Sequence, residues 1–129
     1  MTRIFNLALL AILLAGCATT DTVRQEKGMG DKQLFEHPYD AVFEATLVVA
    51  GNQGLEVVEQ DRDNGTIILS HGVTLWSWGE RVAVFIRKMS ATQTEVEIIS
   101  KPVMAPLNFP PDWVSRIFEG IDKELGPPG

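Results

Sequence analysis

The groups in this 129-residue chain whose chemistry needs testing first are two histidines, one cysteine, an acidic turn and a pair of strand glutamates. A zinc site would need both His37 and His71, with carboxylates brought in by the fold, because zinc takes four nitrogen, sulfur or oxygen ligands. Neither histidine stands in an H-E-x-x-H or H-x-H spacing, so both read as structural: His37 before Pro38 at a helix start, His71 at a strand end. Asp61-x-Asp63-Asn64-Gly65 resembles the start of a calcium loop, but an EF-hand needs a third oxygen ligand before its glycine and a glutamate at loop position twelve. Here Gly65 comes one residue early and Gly72 stands where the glutamate belongs, which makes a hairpin turn the better reading. Ser70, Ser77, Ser90, Ser100 and Ser115 have no Gly-x-Ser-x-Gly context. Glu95 and Glu97 have a spacing that paired carboxylates can use, but alternating charge on an exposed strand face is commoner. Gly28-Met29-Gly30 follows no strand, so it is no phosphate loop. No catalytic, metal or cofactor constellation is complete, and the expectation is a protein that is not an enzyme.

One aromatic segment stands out, Leu75-Trp76-Ser77-Trp78-Gly79. On a strand Trp76 and Trp78 point to the same face. They either complete a core under a helix or form an exposed ridge, extended by Phe109 and Trp113, of the kind enriched at interfaces.

Cys17 is the only cysteine, which excludes an internal disulfide and a cysteine-based zinc cluster. What precedes it defines its use. Met1-Thr2-Arg3 is a basic start, Ile4 to Leu14 is an apolar run broken only by Asn6, and small residues follow. A charged region, a short apolar region and a small-residue cleavage site make a secretory signal. The run is shorter than the ~20 apolar residues a membrane-spanning helix needs. Leu14-Ala15-Gly16-Cys17 resembles the lipobox of bacterial lipoproteins: a branched apolar residue, two small residues, then the thiol that takes a diacylglyceryl thioether. The resemblance implies cleavage after residue 16 and a Cys17 carrying three acyl chains, palmitate among them. Each buried methylene contributes ~0.8 kcal/mol, so several chains anchor the protein and consume its one thiol. By the same resemblance, Ala18 rather than Asp after the cysteine implies the outer membrane of a double-membrane bacterium, on the periplasmic face.

The whole chain has 11 basic and 17 acidic residues, net −6, which argues against nucleic acid as a partner. Removing residues 1–16 takes away only Arg3 and leaves net −7. Such a surface suits anionic headgroups poorly, so the acyl chains rather than the protein face should hold it at the membrane. Residues 17–33 carry only Val23 and Met29 as large apolar residues after the lipidated cysteine and read as a flexible tether. A single domain is then expected over 34–129, ending in the Gly126-Pro127-Pro128-Gly129 helix stop.

Inside that domain, Tyr39, Val42, Phe43, Thr46, Leu47 and Ala50 form one stripe of a helix over 38–52 that Pro38 opens and Gly51 or Gly54 closes. Strands follow at 55–61 and 66–71. A two-residue Asn64-Gly65 turn would mix polar and apolar residues on one face. A three-residue loop with Gly65 left-handed puts Leu55, Val57, Ile67 and Leu69 together and is preferred. Val82, Val84 and Ile86 alternate in a third strand, and Thr94, Val96 and Ile98 in a fourth, joined by an odd-length loop around Ser90. A proline-broken connector leads to a helix from Asp112, with Trp113, Ile117, Ile121 and Leu125 four apart and Gly120 either weakening it or allowing close packing. The expected fold is α+β: a four-stranded antiparallel sheet with two helices on one face. That arrangement leaves Phe85, Ile68 and Ile99 on the opposite face without a cover, which points to a contact surface there.

The element order, with Val42-Phe43-x-Ala45, Gly54-Leu55 and Asp63-x-Gly65-Thr66-Ile67, resembles small helix-grip lipoprotein domains such as those in the C subunit of the outer-membrane β-barrel assembly machine. The resemblance implies a non-enzymatic envelope module and transfers no functional residue. The expected function is a lipid-anchored lipoprotein that binds another envelope component or itself, with Cys17 as the lipid site and Trp76, Trp78 and Phe85 as interface candidates. The competing reading is a carrier or sensor of a small apolar ligand held between sheet and helices.

Overall fold

The computed structural model describes residues 18–72, 79–103 and 111–128. Eight elements follow in order: α1 (Ala18–Gln25), β1 (Asp31–Phe35), α2 (Tyr39–Asn52), β2 (Glu56–Asp61), β3 (Thr66–His71), β4 (Glu80–Lys88), β5 (Thr94–Pro102) and α3 (Trp113–Leu125).

Local sequence accounts for both long helices. Pro38 takes the N-cap position of α2, and Val42, Phe43, Ala45, Thr46, Val49 and Ala50 make its buried stripe. The Thr46 hydroxyl, inside that stripe, donates to the Val42 carbonyl at 2.8 Å and so carries no unmet polar group into the core. The helix closes in a Schellman motif. Gly54 takes a left-handed φ of 74°, its N–H reaches the Gly51 carbonyl, and the Leu55 N–H reaches the Ala50 carbonyl. For α3, the Asp112 side chain accepts from the Ser115 N–H at 3.1 Å, and Trp113, Ile117 and Ile121 are buried.

The β2–β3 hairpin brings Leu55, Val57, Ile67 and Leu69 into one core, as the preferred register requires, but by a different device. Asp61 pairs with Thr66, leaving a four-residue loop, and the odd residue is absorbed at Val58, which bulges out of register between Val57 and Glu59. Gly65 is left-handed, and a Cβ there would stand 2.0 Å from the Ile86 carbonyl oxygen, so only glycine fits. β4 and β5 pair from Lys88–Thr94 onward around residues 89–93, which aligns Val84 with Ile98 and Ile86 with Val96.

The sheet is antiparallel throughout, in the order β1-β5-β4-β3-β2. Because β1 and β2 lie at opposite edges, α2 carries the chain across one face of the sheet, and α3 packs beside it. Among the described residues the fold is therefore α+β with five strands and three helices, one of each more than the sequence reading allows. Both extra elements come from the segment read as a tether. β1 joins the sheet through backbone pairing with β5 and one buried anchor, Phe35. α1 packs on β4 and β5, on the face away from α2 and α3, and buries Val23. A segment can be polar on average and still dock, because backbone pairing needs no apolar side chain and a short helix can be held by one apolar anchor together with polar contacts. The folded unit thus begins well before residue 34.

The two long helices approach closely at Gly120, where an added Cβ would lie 2.5 Å from the Val49 Cγ1. Replacing glycine by alanine favours a helix by up to ~1 kcal/mol, but the β-branched Val49 side chain is stiff about χ1 in a helix and gives way only at a cost. Gly120→Ala is expected to destabilise the fold by ~1–3 kcal/mol through overpacking, measured by urea unfolding. In a Val49→Ala background the same substitution should cost nothing or stabilise. A stabilising effect in the unaltered background would disprove the close approach.

Candidate functional site

The strand alternation that sends Val82, Val84 and Ile86 toward α2 and α3 sends Ala83 and Phe85 to the other face, where Ile68 and Ile99 join them. This is the face expected to be bare. Phe85 is in fact 1% exposed, because Val23 of α1 completes a second apolar cluster over it. The interface role expected for Phe85 is therefore corrected: α1 of the same chain takes the place expected for a partner. Trp76, Trp78 and Cys17 lie outside the described residues, and Ala18, the neighbour of Cys17, is the first residue of α1.

Polar contacts hold α1 and its following turn around that cluster. Arg24 pairs with Glu59 of β2, and the Glu26 carboxylate meets the Lys101 ammonium of β5 at 3.0 Å. The Lys27 ammonium stands 5.2 Å from the centre of the Phe85 ring, within cation–π range. Glu97 is the hub. Its side chain is fully buried, and its Oε2 accepts the Gly28 and Gly30 N–H groups at 2.6 and 2.8 Å while Oε1 accepts from Arg87. Gly30 passes so close to β5 that a Cβ would meet the Ile98 carbonyl oxygen at 2.6 Å. Arg87 also donates to Glu95 at 2.9 Å. Glu95 and Glu97, which the sequence offers as paired carboxylates, are thus two arms of one ion triad that ties α1's turn to the sheet.

Burial pushes the Glu97 carboxyl up, but the Arg87 guanidinium and the two backbone N–H groups outweigh it and hold the carboxyl below its ordinary value. Arg87 is held above its ordinary value, chiefly by its hydrogen bond to Glu97.

A second cluster forms on the helix-bearing side, and the sequence reading missed it. His71 at the end of β3 lies opposite Glu80 at the start of β4, with Nδ1 at 2.9 Å from a carboxylate oxygen whose side chain is fully buried. The His71 and Trp113 rings meet at a tilt of 54° with centroids 4.9 Å apart, and the Arg116 guanidinium lies 5.5 Å from the centre of the same indole. The signal was a histidine and a glutamate nine apart around a loop, legible only once the strand register is known. Elsewhere His37 Nε2 approaches the Gly126 carbonyl at 3.1 Å and joins the start of α2 to the end of α3. Asp61 accepts from the Asn64 backbone at 3.1 Å and from its side chain at 2.7 Å, bonds that hold its carboxyl below the ordinary value. Its oxygens serve the hairpin loop. Among the described residues no group of three or more His, Cys, Asp or Glu is placed to hold a metal ion, and no helix is long and apolar enough to cross a membrane.

No protein-family model matches the chain, and no curated protein matches it. Among solved structures it is similar to the crystal structure of Ara h 8.0201, at 14% identity and a TM-score of 0.44, over 74% of this chain and 91% of that one.

Because Glu97 is held below the unfolded carboxyl value of about 4.3, its contribution is complete above that pH and is lost as pH falls through the folded value. Glu97→Gln removes the charge and is expected to cost ~1–3 kcal/mol at neutral pH. It should flatten the stability loss of the unaltered protein below pH ~4.3. Hydrogen exchange supplies the local readout: the Gly28 and Gly30 amides should lose protection while the β4 amides keep theirs. Unchanged protection at both glycines would show that Glu97 does not hold the turn.

Proposed function

We propose that the chain is an outer-membrane lipoprotein facing the periplasm, non-catalytic, anchored through acyl chains on Cys17, and a binder of another envelope component. One observation carries the reading: Leu14-Ala15-Gly16-Cys17 closes a basic and apolar leader, and the folded unit starts at the very next residue. A small α+β domain joined directly to that motif suits a module that works at a membrane surface. Trp76 and Trp78 stay with the proposal as the aromatic contact candidates. The carrier reading gains no comparable support. Phe43, Ile67, Leu69, Ile117 and Ile121 occupy the layer between the sheet and α2 and α3.

Fractionation and mass measurement test the anchor. Cys17→Ser is expected to leave an unprocessed chain without acyl mass, since a hydroxyl does not replace the thiol acceptor. Equal membrane retention with no acyl mass on either form would reject the anchor. Ala18→Asp should move the protein to the inner membrane. It changes the first turn of α1, where a carboxylate is favourable, so mislocalisation would not reflect a disrupted helix. Unchanged fractionation would remove the outer-membrane assignment and leave the lipoprotein assignment standing.

A further inference from the structure

We infer that the β1 edge of the sheet and the turn before it rest on the bilayer, with Met29 and Leu34 in its interfacial layer and Lys32 among the headgroup phosphates; this rests on the anchored reading above. The argument begins with chain length. Cys17 is bonded to Ala18, and Ala18 is already the first residue of a helix docked on the sheet, so no slack separates an acylated cysteine from the domain. Eight helical residues span about 12 Å, a length short enough to let the turn that leaves α1 reach the headgroup layer that holds the anchor.

That neighbourhood carries exposed apolar groups. Met29, in the turn, is 81% exposed, and Leu34, on β1, is 51% exposed. Leu34 lies opposite Glu95 and Lys32 opposite Glu97, so both share the sheet face that α1 occupies. The acids beneath them do not repel a bilayer, because Arg87 joins both carboxylates and the turn amides also donate to Glu97. Two large apolar side chains beside a lysine, next to a lipid anchor, suit an interface between acyl chains and phosphates. The overall negative charge limits this contact to a small footprint and leaves the α2–α3 face turned toward the periplasm.

The test uses the full lipidated protein. Its native thiol is acylated, so Met29→Cys, Leu34→Cys and Val48→Cys each offer one site for a nitroxide. Val48 is 43% exposed on α2, on the other side of the sheet. After reconstitution into phosphatidylethanolamine and phosphatidylglycerol vesicles, the labels at 29 and 34 are expected to lose collisions with a water-soluble nickel chelate and gain them with oxygen. The label at 48 should keep its water-like values. If acyl mass is present and the labels at 29 and 34 remain water-like, the inference is overturned while the anchor stands. Dipolar broadening between copies, with no gain in oxygen collisions, would assign the edge to a second copy and also overturn it. A chain without acyl mass removes the anchor and the inference together.

Discussion

A sheet that is apolar at the centre of both faces must be covered on both, and this requirement shapes the molecule. β4 is the middle strand, and Val82, Ala83, Val84, Phe85 and Ile86 are all buried, although alternate members point opposite ways. Two amphipathic helices close one face. The other is closed by α1, a polar helix with Val23 as its buried apolar anchor. Burying a valine contributes ~1.5–3 kcal/mol, too little to order an isolated eight-residue helix, whose nucleation is unfavourable. The surrounding charges therefore take part. Glu26, Lys27, Arg24 and the Glu97 hub hold α1 where apolar area alone is thin.

Much of this architecture was legible because its signals are local. Pro38, the stripe from Val42 to Ala50, the Gly54 cap, the alternation in β4 and β5 and the four-residue steps in α3 each announce an element within one window. The uncovered face was legible too. Strand alternation alone shows that Ile68, Phe85 and Ile99 need a cover, but it does not show that the cover comes from within the chain. Residues 18–33 hid it because composition averages over a segment, whereas docking depends on single residues. Val23 is unremarkable until the sheet exists to receive it, and β1 is held by backbone bonds that leave no mark on side-chain type. The Val58 bulge was hidden for a related reason. Either a three-residue loop or a bulge brings Val57 and Ile67 to one face, and hydrophobic patterning cannot tell them apart.

The site was less legible than the fold. The motif that ends at Cys17, on which the anchor proposal rests, is contiguous and is read without tertiary knowledge. Glu97 and Glu80 read as ordinary strand charges, since nothing near either residue says that its face will be sealed. Glu97 is enclosed by a turn some seventy residues upstream, and His71 meets Glu80 only through the β3–β4 register.

These two buried carboxyl groups share a physical role inside a small core. Apolar burial is non-directional; it draws segments together without fixing where they stop. A buried charge is costly unless its lone pairs are met, so it tolerates few geometries. Glu97 accepts two turn amides and a guanidinium, which sets where the chain leaves α1 and enters β1. Glu80 engages His71, whose ring lies on Trp113 at the first turn of α3, which ties the β3–β4 end of the sheet to that helix. One of these carboxyl groups thus stands on each face, each at a junction where a helix or its turn meets the sheet. The sheet supplies the cohesion of the domain, and these directional contacts fix the placement of the segments packed on it.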